Sequence, residues 1–92
     1  MTGLYLLHFD PPYRHARHYL GFALDVERRV DEHLRSAACS SPLVRAALAA
    51  GSVVVLARVW PGGDRTLERR LKRRHEGPRL CPICRSTQEV RP

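Results

Sequence analysis

Hydrophobic and polar positions change period several times along the chain, and each change marks an element. Residues 3–9, GLYLLHF, form a short apolar and aromatic run, and the DPPY that follows is a turn signal. Prolines 11 and 12 lack the N–H that a ladder requires, so the first strand is expected to end there. RHYLGF, residues 17–22, predicts a second strand, antiparallel to the first across a longer loop. From Asp25, a capping residue type, the period shifts. Val26, Val30 and Leu34 fall at i, i+4 and i+8, which is one face of a helix.

The second half is punctuated as clearly. SSPLVRAALAAG, residues 40–51, offers Ser41 as a cap, Pro42 for the first turn and Gly51 to close the helix. SVVVLARVW, residues 52–60, is the most β-branched stretch and predicts the third strand. PGGD then turns the chain, and Asp64 can cap a helix over 64–75 with Leu67 and Leu71 as a thin apolar stripe. The order β-β-α-α-β-α predicts an α/β (α+β) domain over residues 1–76, a small three-stranded antiparallel sheet flanked by helices. Residues 77–92 form a short tail containing a Cys pair.

Composition narrows the function classes. A chain of 92 residues with 43% hydrophobic and 27% charged residues makes one domain with one modest core. Apolar runs such as SVVVLA are too short to span a bilayer, so no membrane role is expected. The opening MTGLYLLHFD has no basic start and no small-residue cleavage site, so no signal peptide and a cytoplasmic location are expected. An odd cysteine count, three, does not suit a disulfide framework. The excess of 16 Lys+Arg over 9 Asp+Glu gives +7 at pH 7 and favours a polyanionic partner. All the cations but Lys72 are arginine, which a GC-rich genome would produce without any functional cause.

GLY at 3–5, YLG at 19–21, Arg29 within DVERR, His33 and Glu68 stand in an order and spacing that resembles the GIY-YIG nuclease family. The resemblance covers residues 3–75. It implies the GIY-YIG type of sheet and a metal-dependent endonuclease that hydrolyses DNA phosphodiester bonds, RNA being the alternative substrate. It implies Tyr5 as activator of the attacking water assisted by His33, and Tyr19 as orienter of water or phosphate. Arg29 would hold the phosphate, and Glu68 would bind a single Mg²⁺ or Mn²⁺. Leu4 and Leu20 stand where the family commonly has isoleucine, an apolar exchange. The family's late polar residue has no clear counterpart, Gln88 being a poor candidate. Such families usually join a targeting domain to the catalytic one. The resemblance therefore leaves two arrangements, a structure-directed nuclease acting alone or a catalytic part delivered by a partner or by homodimerisation.

The residue types suit that chemistry on physical grounds as well. Phosphodiester hydrolysis needs a deprotonated water and charge relief at the transition state. A guanidinium clamps two phosphate oxygens, and Arg29 and His33, four residues apart, share a helix face. Imidazole moves a proton near neutral pH, and a carboxylate such as Glu68 is a hard oxygen ligand for Mg²⁺. A tyrosine with a pKa of about 10 is a poor base at neutral pH, so a nearby cation and His33 would have to activate it. Taken singly, Glu68 also fits a surface pair with Lys72.

Basic residues extend the candidate interface. Arg14, Arg17 and His18 in the loop before the second strand could contact phosphates, as could Arg28 and the helix residues Arg69, Lys72 and Arg73. The pair in CPIC, Cys81 and Cys84, is half of a structural zinc site, with His75 as a third ligand and Cys39 or another chain as a fourth. Two rival classes stay open: a non-catalytic nucleic-acid-binding module of the same fold, and a small zinc-stabilised interaction protein.

Overall fold

The computed structural model describes residues 1–35, 41–74 and 77–84. The elements run β1 (Gly3–Tyr13), β2 (Ala16–Ala23), α1 (Val26–Arg35), α2 (Pro42–Ala49), β3 (Val53–Pro61), α3 (Arg65–Arg74) and the single turn α4 (Gly77–Leu80). The strands form one antiparallel sheet in the order β2-β1-β3. The central position of β1 explains why GLYLLHF is apolar without alternation. Both of its faces are covered, and Gly3 to Phe9 are all buried.

Tyr5, Leu7 and Phe9 point to one face and join Val26, Val30, Val44, Ala47 and Val54 in the core under α1 and α2. Leu4, Leu6 and His8 point to the other face. There α3 covers the end near Leu4: a Cβ on Gly63 would lie 3.0 Å from Leu4 and 3.3 Å from Leu67, and the Arg65 guanidinium stacks 4.9 Å over Phe22. Tyr5, Phe9, Leu4, Leu6 and Leu7 are each at most 2% exposed. Burial of such side chains contributes about 1.5–3 kcal/mol apiece, which makes β1 the largest single contributor to the buried core.

Caps form where the sequence has them. The Asp25 carboxylate accepts the Arg28 N–H at 3.2 Å, and the Ser41 hydroxyl accepts the Val44 N–H at 3.3 Å. Asp64 accepts the Leu67 N–H at 2.9 Å. Gly51, just beyond the α2 cap at Ala50, takes φ 93°, the left-handed turn that favours glycine.

Two expectations are corrected. The first strand does not stop at the prolines: β1 continues to Tyr13, and residues 14–15 are the tip of a hairpin, not part of a long loop. The ladder to β2 is irregular between His8 and Tyr13, where Pro11 and Pro12 lie, so no ladder N–H is demanded of them. On the other edge β1 still pairs through Asp10↔Val53, and the Pro11 carbonyl accepts the Ser52 hydroxyl at 2.8 Å. In α1 the inward face is Val26, Val30 and His33, whereas Leu34 is 39% exposed. At 3.6 residues per turn the third inward position falls at i+7, and a histidine occupies it.

Candidate functional site

Four of the five residues expected to carry chemistry meet on the α1 side of the sheet. Tyr5 comes from the middle of β1 and is 1% exposed. Its pairing partner on β2 is Gly21, and only a glycine fits there, because a Cβ would lie 2.5 Å from both Cζ and Oη of Tyr5. Tyr19, half-buried, lies two residues along β2 and so on the same face, its ring 6.2 Å from that of Tyr5. His33, fully buried, packs its ring 5.4 Å from Tyr19 and 5.6 Å from Tyr5. Arg29, one turn earlier on α1, hydrogen-bonds to the Tyr5 hydroxyl and pairs with Glu32 at 3.4 Å.

Hydrogen bonding fixes the tautomer of His33. Its Nε2 is 2.8 Å from Tyr5 Oη, and its Nδ1 is 3.4 Å from the backbone nitrogen of Ser41. A backbone N–H can only donate, so Nδ1 accepts and Nε2 carries the hydrogen of the neutral ring. Burial, and then the charge of Arg29, lower the His33 pKa to about 4, so the ring is neutral at pH 7. Two donors, His33 Nε2–H and the Arg29 guanidinium, therefore converge on the phenol oxygen. Such donors favour a phenolate, but burial and the neighbouring Tyr19 outweigh them and push Tyr5 up to about 12. At rest Tyr5 is therefore a phenol.

Glu68 lies on α3, the helix packed over Leu4 and Phe22 on the opposite face of the sheet. Its side chain is 14% exposed and its carboxylate pairs with Lys72 at 3.6 Å. Arg14, at the hairpin tip with φ 55°, stacks over Tyr13, and Arg17 is exposed beside it. Arg28 is exposed and sits 3.8 Å from Glu32. Arg69, Arg70 and Arg73 line a surface groove of about 240 Å³ with Thr66, and Lys72 is exposed next to them.

The other face of the same hairpin holds a second cluster. His8 and His18 are directly paired across β1 and β2, their ring centroids 5.3 Å apart and their planes inclined at 64°. The segment after α4 brings Cys81, fully buried, and Cys84, half-buried, against them. The ligand atoms of His8, His18, Cys81 and Cys84 all lie within 4.8 Å of one another, a group that could hold a metal ion. His18 therefore turns inward, not toward a bound nucleic acid. His75, Cys39 and Gln88 lie outside the described residues. Local pattern does not single out His8, and the one signal for it in the sequence is a histidine on each of two strands expected to pair.

Among the described residues no helix is long and apolar enough to cross a membrane. Comparison of the chain with protein-family models, with curated proteins and with solved structures finds no match.

Proposed function

We propose that this chain is a metal-dependent endonuclease of GIY-YIG type that hydrolyses DNA phosphodiester bonds. The observation that carries the reading is the 2.8 Å bond between Tyr5 and a neutral, buried His33, with Arg29 on the same phenol and Tyr19 against both rings. One partner would satisfy a buried phenol oxygen, and here two donors, one of them a guanidinium, meet on it. In this reading the guanidinium of Arg29 also faces a phosphate oxygen of the DNA. Tyr5 first gives its phenol proton to solvent. As water attacks phosphorus, one proton of that water passes to the phenolate oxygen. The bond to the leaving sugar oxygen breaks, and that oxygen takes a proton from solvent. His33 and Arg29 stabilise negative charge on the phenol oxygen until that proton arrives.

A single Mg²⁺ or Mn²⁺ fits Glu68 as far as donor chemistry goes, since Mg²⁺ accepts one carboxylate completed by water and substrate phosphate. Bound there, the cation would supply charge relief at a phosphate or leaving oxygen where the DNA passes round the sheet edge to α3, since Glu68 and Tyr5 lie on opposite faces of the sheet. The cationic groove of Arg69, Arg70 and Arg73 supports backbone-directed binding without base reading. RNA is the substrate alternative for the same chemistry, and homodimerisation or a targeting partner would supply selectivity.

The test is nicking of supercoiled plasmid and of branched DNAs by the wild type, Glu68→Ala and Tyr5→Phe, with Mg²⁺, with Mn²⁺ and with EDTA. Metal-dependent cutting that disappears in both variants while DNA binding persists is the expected result. With Tyr5 as the base, the rate should also rise about tenfold per pH unit through the neutral range. Salt-sensitive binding with no cutting under any condition would replace the reading by a non-catalytic nucleic-acid-binding module.

A further inference from the structure

We propose that His8, His18, Cys81 and Cys84 bind one structural Zn²⁺ in a closed tetrahedral site, clamping residues 77–84 onto the β1–β2 hairpin. The site lies on the face opposite Tyr5 and Tyr19, and the proposal stands whether or not the chain is a nuclease.

The geometry carries it. With Zn–N near 2.0–2.1 Å and Zn–S near 2.3 Å, a tetrahedron sets its N···N edge at about 3.3 Å and its N···S edges at about 3.6 Å. His8 Nδ1 and His18 Nε2 are 3.4 Å apart. His8 Nδ1 is 3.4 Å from Cys81 Sγ and 3.6 Å from Cys84 Sγ, and His18 Nε2 is 3.4 Å from Cys84 Sγ. Four edges of the figure thus match a zinc shell within a few tenths of an ångström. Hydrogen bonding alone does not explain the convergence. One ring nitrogen, His8 Nδ1, can make a single hydrogen bond along its lone pair or its N–H, yet three donor atoms crowd it within 3.6 Å.

The donor set selects the metal. Two thiolates and two imidazoles suit Zn²⁺, and two thiolate charges neutralise the ion where Cys81 is fully buried and His8 only 5% exposed. Four protein ligands leave no position for water, so the ion is structural and not the one that would act on a phosphodiester. Its ligands come from both strands of the hairpin and from a segment over sixty residues further on, so it closes a long loop that the small core alone would hold weakly.

The experiment is metal analysis of the purified full chain, with Co²⁺ exchanged into it as a spectroscopic probe. One zinc per chain is expected, together with the intense d–d bands of tetrahedral cobalt and a thiolate-to-cobalt charge-transfer band. Cys84→Ser and His18→Gln should each lower bound zinc at least tenfold, whereas Cys39→Ser and His75→Gln should leave it at one. A wild-type chain that purifies without zinc and gives only a six-coordinate cobalt spectrum would overturn the assignment, independently of whether any variant folds. Zinc kept by His18→Gln but lost from His75→Gln would overturn it in favour of a different donor set. Neither outcome depends on nuclease activity.

Discussion

Gly21 is the most severe steric constraint in the Tyr5 cluster, and Gly21→Ala tests how the cluster is built. The added Cβ would sit 2.5 Å from Tyr5 Cζ and Oη, whereas carbon contacts are comfortable at about 3.5–4.0 Å, so the overlap is about 1 Å. The ring of Tyr5 is 1% exposed and lies against the rings of Tyr19 and His33, so either it shifts against them or the β1–β2 pairing opens. Overpacking of a dense core costs about 1–3 kcal/mol, and losing the 2.8 Å bond to His33 adds about 1 kcal/mol. The total of about 2–4 kcal/mol should lower Tm by about 10–25 °C in a domain of this size. Thermal and urea unfolding followed by circular dichroism measure it. Tyr5→Leu shortens the side chain that collides, so in that background Gly21→Ala should cost less by about 1–3 kcal/mol, a coupling that a double-mutant cycle reads directly. A Gly21→Ala protein within about 0.5 kcal/mol of wild type, or a cycle with no coupling, would refute the claim that Tyr5 is held against the β2 backbone.

Other perturbations follow from single groups. His33 is neutral in the fold down to a pKa of about 4, whereas the unfolded chain binds that proton near 6.5. The unfolded state therefore holds more protons between those values, and stability should fall by up to about 3 kcal/mol as pH drops from 6.5 to 4. Denaturation series on wild type and His33→Gln should differ in slope only in that window, and parallel curves would contradict it. Reversing two charges of the cationic groove, Arg69→Glu with Arg73→Glu, should weaken DNA binding at low salt and reduce the log–log salt slope by about 2, as titrations across ionic strengths would show. Removing the α2 cap with Ser41→Ala should cost about 1 kcal/mol while leaving the backbone N–H that fixes the His33 tautomer, measurable by chemical denaturation.

The three-stranded sheet with its helices was legible because local signals agreed with it. Asp25, Ser41 and Asp64 cap where the polar punctuation put them, and the β-branched run after Gly51 is a strand. Tyr5, Tyr19, Arg29 and His33 meet as the resemblance implied, because strand alternation and one helical turn suffice to align them. Two features depended on geometry that the pattern does not display. Apolar spacing chose Leu34 for the inner face of α1, but at 3.6 residues per turn the position after Val26 and Val30 falls on His33, where a buried imidazole needs the partners that Tyr5 and Ser41 supply. The second cluster depended on strand register. Counting back from Tyr13↔Ala16 without interruption would set His8 opposite Gly21, three residues from His18. The irregular stretch holding Pro11 and Pro12 absorbs the difference, and no rule of local propensity gives its length.

That register links the two clusters. Along β1 and β2 the pairs Tyr5↔Gly21 and Leu7↔Tyr19 face α1, and the next pair, His8↔His18, faces the cysteines. Neighbouring residues therefore serve opposite faces: His18 turns to the sulfur atoms, and Tyr19 beside it turns to His33. A slip of one residue would exchange the faces, placing an imidazole in the apolar core and a tyrosine among the thiols. Hydrophobic contacts resist that slip only in part, because β1 is apolar on both faces and its own pattern does not say which side is which. The His8–His18–Cys81–Cys84 contacts do distinguish the sides, since they are satisfied in one register alone. The second cluster thus contributes to the first without touching it, by holding β2 where Gly21 lies over Tyr5 and Tyr19 reaches His33.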